Sequence, residues 1–101
     1  MTLPKKVSIF GLKFKIKVVP LNGILGLCDR VTNTIYIEAA QSEKDQLHTL
    51  LHEMGHAVFG RVGLVQGISP ELEEVIVESL ATAIIENDLL TIQEKEINKA
   101  P

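Results

Sequence analysis

A chain of 101 residues and 11.1 kDa has room for one small domain, and with 46% apolar and 23% charged residues it can bury a core. One cysteine, Cys28, excludes an internal disulfide framework and a cysteine-based zinc knuckle, and four aromatic residues leave little for base stacking or an aromatic cage. The net charge of -3 conceals a segregation: Lys5, Lys6, Lys13, Lys15, Lys17 and Arg30 face Asp29 alone in the first 30 residues, and the remainder is strongly acidic.

In chain order, Phe14, Ile16 and Val18 alternate with Lys13, Lys15 and Lys17, the period of a half-buried strand. The lysines read as a charged face that keeps a sheet edge from pairing, and nucleic acid is not an expected partner. Pro20 ends this strand and Asn22-Gly23 marks a turn. Ile24 to Cys28 and Thr34 to Ile37 are two β-prone runs around a polar turn. The front of the chain, about residues 5–38, is expected to form three antiparallel strands.

Ser42-Glu43-Lys44-Asp45 is a helix start, a hydroxyl cap with an acid three residues on. Leu47, Leu50, Leu51, Met54, Ala57 and Val58 then fall at helical spacing, predicting a helix over about residues 43–61 that ends near Gly60 and Gly63. Ser69-Pro70 opens a second helix, expected over about residues 70–88, with Glu71 and Glu73 suiting the positive end of its dipole. A polar tail follows. The lysines interrupt any signal-peptide core, and the apolar run around Val75 to Ile85 is broken by Glu78, so a cytoplasmic protein is expected.

The first helix carries His52-Glu53-Met54-Gly55-His56, an H-E-x-x-H pattern. Residues four apart on a helix lie about 40° apart in projection and about 6 Å along the axis, so both imidazoles can converge on one cation. Zinc accepts two such nitrogens and needs a third protein ligand and a water to form a catalytic site. Glu53 points to one side, where it can take a proton from that water. The plainer alternative is two surface histidines beside a solvated glutamate.

An antiparallel pairing of the two helices matches His56 in height with Glu74, and His52 with Glu78. Glu74 and Glu78 share a face, which Ala81 continues with a small side chain. An acid among neighbours as apolar as those of Glu78 is expected to be buried with a partner. One of the two should hold metal and the other should bond a ligand histidine, and height alone leaves open which. His48, one turn before His52, is expected near the surface or behind the ligands. Tyr36 and Cys28 are expected to pack within the strands. Gly55, in mid-helix, implies that something passes close by.

His52-Glu53-Met54-Gly55-His56-Ala57, with Glu74 eighteen residues after His56, resembles a zincin of the gluzincin type, and more narrowly the ImmA/IrrE-like metallopeptidases of phages and mobile elements. The resemblance covers about residues 35–90. In that family H-E-x-G-H-A is followed by E-x-x-A-N-x-F-A on a second helix. The stretch from Glu74 to Ala81 fits at its two ends and departs at Val77, Glu78 and Leu80. The resemblance implies that His52, His56 and Glu74 bind Zn2+, with Glu53 as catalytic base and Glu78 orienting a histidine or standing as the alternative ligand. The family's DNA-binding part is not expected within these 101 residues.

The expectation is therefore a single minimal α+β domain over residues 1–101, a small antiparallel sheet on a two-helix zincin core. Its expected activity is zinc-dependent hydrolysis of a peptide or protein substrate, with a partner protein or a second copy completing a shallow cleft and no membrane involvement. The alternative is a non-catalytic zinc-binding interaction protein, and a third reading, a nucleic-acid binder using the lysine strand, has only charge in its favour.

Overall fold

The first two strands, β1 (Lys6–Ile9) and β2 (Leu12–Val19), form a hairpin around Phe10 and Gly11, whose φ angles of 50° and 82° are both left-handed. That backbone matches the twist of paired strands. The computed structural model describes residues 3–63 and 67–87. Part of the interhelical loop and everything after Asn87, including the expected end of the second helix at Asp88 and the polar tail, lie outside the described residues.

Past residues 20–25 come β3 (Gly26–Asp29) and β4 (Thr34–Glu38). The Asp29 carboxylate accepts the amides of Val31 (2.9 Å) and Thr32 (3.2 Å), which fixes the turn between them and holds this carboxyl below its usual range. Glu38 does the same for the β2–β3 connection, accepting from Leu21 and Ala40 at 2.8 Å each.

The sheet order is β1-β2-β4-β3, with β2 and β4 parallel and the other two pairs antiparallel. Four strands in a mixed sheet replace the three antiparallel strands expected. β1 is short, although Val7 and Ile9 alternate with Lys6 and Ser8. The parallel pair arises because residues 20–25 carry the chain past one strand position. β3 lands at the far edge and β4 returns into the gap, beside β2. Burial accounts for that order: Ile35 and Ile37 of β4 are fully buried and belong in the middle of the sheet. β2 is consequently an interior strand, so its lysines protect no edge. Lys13, Lys15 and Lys17 instead stand exposed on the sheet face turned away from the core.

The two helices are α1 (Glu43–Val62) and α2 (Pro70–Glu86). Ser42 accepts from the Asp45 amide and Ser69 from the Leu72 amide, so both N-termini are capped by a hydroxyl, and Gly63 closes α1 in the left-handed conformation. α1 lies across the inner face of the sheet, where Leu50 and Ala57 meet Ile9, Phe14, Ile16, Ile35 and Ile37. α2 packs on α1 through a stripe of Glu73, Val77 and Ala81. Val58, expected on the apolar face of α1, is exposed at the edge of that face. No helix among the described residues is long and apolar enough to cross a membrane.

Gly55 sets the distance between the helices. A Cβ built there would stand 2.9–3.3 Å from three side-chain carbons of Val77, closer than a real Cβ ordinarily comes to its neighbours. The object passing close by is thus α2.

Candidate metal centre

Helical spacing on α1 brings the Nε2 atoms of His52 and His56 to 3.2 Å, and the approach at Gly55 lowers Glu74 of α2 onto both. One Glu74 oxygen lies 2.8 Å from His52 Nε2 and the other 3.0 Å from His56 Nε2. His52, His56 and Glu74 form the one metal-sized group of such side chains among the described residues, with ligand atoms all within 4.8 Å of one another.

The outer nitrogens decide what these inner atoms offer. His52 Nδ1 donates to Glu78 at 2.8 Å, and His56 Nδ1 donates to Glu73 at 2.5 Å. With their protons committed outward, both Nε2 atoms turn lone pairs inward against a carboxylate. Such a convergence repels itself unless a proton or cation lies among the atoms. A tetrahedral zinc with bonds of about 2.0–2.1 Å would hold its ligands about 3.3 Å apart, close to the spacings found. Two imidazoles and one carboxylate are a donor set that zinc accepts, gathered within 4.8 Å of one another.

Of the two acids left open by helix height, Glu74 faces both Nε2 atoms, whereas Glu78 bonds the outer nitrogen, Nδ1, of His52. Glu78 departs from expectation in burial: its side chain is 48% exposed. The buried stripe of α2 runs through residues 73, 77 and 81, which turns position 78 outward. The buried acid is Glu73, whose side chain is 11% exposed. Reading Glu73 as a dipole acid missed it, although its spacing of four and eight from Val77 and Ala81 carried the signal. Arg30 was also missed. Its guanidinium donates to the His56 carbonyl at 2.9 Å and lies 3.8 Å from Glu73, crossing α1 where Gly60 leaves room. His48 stands behind the group, near Thr82 at 3.3 Å and Glu78 at 3.5 Å.

Glu53 projects toward β3, where a Cβ on Gly26 would come within 3.2 Å of its Cγ and Oε2. Burial raises the Glu53 carboxyl above its usual range, Glu74 adds to the rise, and His52 and His56 oppose it. A carboxyl raised in this way is a better proton acceptor once ionised. These groups line a cleft of about 980 Å³ walled by Ile24 and Leu25 on one side and Val75 on the other. Tyr36 lies on the opposite face of the sheet, between inward-facing Ile35 and Ile37, and does not reach the cleft. Cys28 packs against the core, and burial pushes its thiol up.

Comparison with family models, with curated proteins and with solved structures finds no match to this chain.

Proposed function

We propose that this chain is a zinc-dependent peptidase that cleaves extended peptide segments. The observation that carries the reading is the Glu74 carboxylate facing both Nε2 atoms, beside a glutamate that burial has made more basic. The resemblance of H-E-M-G-H-A and its second helix to ImmA/IrrE-like metallopeptidases supports it.

His52, His56 and Glu74 would hold the metal, while Glu78 and Glu73 hold the two rings in the tautomer that binds it. Bound zinc supplies Lewis acidity and a water of lowered pKa. Glu53 takes a proton from the attacking water and returns it to the leaving amine. β3 offers the substrate a place to lie. The Glu38 amide donates to the Leu25 carbonyl at 2.9 Å, so Leu25 and Leu27 turn their backbone groups toward β4. By alternation, those of Gly26 and Cys28 face the free edge. A peptide added there is read by its backbone, with little demand on its sequence.

Metal analysis of the purified protein, joined to a cleavage assay on an unfolded test protein, checks this. Wild type should carry one zinc per chain. Glu53→Gln should keep the zinc and lose about 10²–10⁴-fold in cleavage rate, and Glu74→Ala should lose the zinc. Zinc without cleavage by wild type would favour the interaction-protein alternative, and a chain that takes up no zinc would end both readings.

A further inference from the structure

We propose that the open face of the sheet binds single-stranded nucleic acid, with lysines on its phosphates and aromatic rings on its bases. This inference is independent of the peptidase reading, because the surface lies on the far side of the sheet from the cleft.

The face is built by register. The Ile16 amide donates to the Lys5 carbonyl at 2.9 Å, which makes Lys6 and Lys15 a directly opposed pair without mutual hydrogen bonds. This is the closest approach two antiparallel residues make, about 4.5 Å between Cα atoms. Like charges so placed destabilise a sheet. Lys13 and Lys17 extend the array along β2 in steps of about 6.6–6.8 Å, of the order of the spacing between neighbouring phosphates in an extended polynucleotide. All four lysines are exposed, and none has a carboxylate within ion-pair distance among the described residues.

The need to protect an edge does not explain this array, since β2 is an interior strand. A protein partner is also a poor fit, because lysine is depleted from protein interfaces and the lysine half of this face has no aliphatic cluster to serve as their core. Polynucleotide is favoured by the rings at the two ends of the row. Tyr36 is the register neighbour of Lys17 on the same face, and Phe10, at the hairpin tip beyond Lys13, is 66% exposed. A cationic track with aromatic platforms is the minimal apparatus for holding a single strand without sequence preference.

The test is fluorescence anisotropy of a labelled 15-nucleotide oligothymidine with the intact protein. Four phosphate contacts should give a slope of log affinity against log salt near about -3, a weakening of about 50-fold between 50 and 200 mM salt. Lys13→Gln, Lys15→Gln and Lys17→Gln together should reduce the slope to about -0.7, and the corresponding Lys→Arg triple should restore it. Phe10→Ser and Tyr36→Leu should each weaken binding about tenfold. Circular dichroism checks that each variant is folded, and Phe10, at an exposed tip, can be replaced even if Tyr36 cannot. No binding at 50 mM salt would overturn the proposal. So would equal affinity for a duplex, for polyglutamate or for phosphatidylserine vesicles, or an unchanged affinity when Phe10 is replaced.

Discussion

Glu73 and Glu74 are adjacent in sequence and opposite in surroundings, with side chains 11% and 55% exposed. One step of about 100° around a helix separates them. It turns Glu74 toward both inner imidazole nitrogens and Glu73 into the seam between α1 and α2, where it accepts from His56 Nδ1 and lies 3.8 Å from the Arg30 guanidinium. Glu73→Ala would leave the His56 Nδ1–H without its acceptor and free the ring to rotate. Zinc affinity should fall about 10–100-fold, and Glu73→Gln, which keeps an accepting oxygen, should fall less. Competition titration with a chromophoric chelator measures this, with the thermal stability of the metal-free forms as the reference for simple loss of packing. Equal affinity in all three proteins would show that Glu73 serves the helix seam alone.

At the scale of elements, the site depends on how closely α2 approaches α1, and Gly55 against Val77 sets that approach. Gly55→Ala gains about 1 kcal/mol in helix propensity but forces a methyl into Val77, and overpacking of this kind costs about 1–3 kcal/mol. The expected outcome is a net loss of stability that Val77→Ala relieves. In a double-mutant cycle by urea denaturation the pair should couple by at least about 0.5 kcal/mol, and strict additivity would contradict the contact. Much at this scale is legible in the sequence. The period of α1, its cap and the His-Glu-His register are properties of one helix, and a glycine in mid-helix announces a close neighbour. Strand order is not legible, because alternation tells which face a residue occupies and says nothing about which strand lies beside it. The lysine strand therefore reads as an edge although it lies inside the sheet. Glu73 escapes notice for a related reason: an acid in a first turn already has a sufficient local explanation in the helix dipole.

For the whole molecule, the joint between α1 and α2 is the one that carries Glu74. α2 rests on α1 and leaves Leu72, Val75 and Leu80 about half exposed or more. A domain of this size has little stability to spare, so an ion bound by both helices would act as a staple across their seam. At a thousandfold excess of metal over its dissociation constant, that linkage contributes about 4 kcal/mol, equivalent to roughly 15 °C or more in melting temperature for a domain this small. Scanning calorimetry with and without a chelator should show a drop of that order in wild type and none in Glu74→Ala. An unchanged melting temperature in wild type would remove the ion from the stability of the fold.

The layering of sheet, α1 and α2 also sorts the side chains by sign, with ammonium groups on the outer sheet face and carboxylates along the far helix. The charges of the described residues therefore form an electric dipole whose axis runs from the mouth of the cleft to the back of the sheet. Torque from any strongly negative surface would rotate it back-first during diffusion, so that it would arrive with its cleft pointed outward into solution.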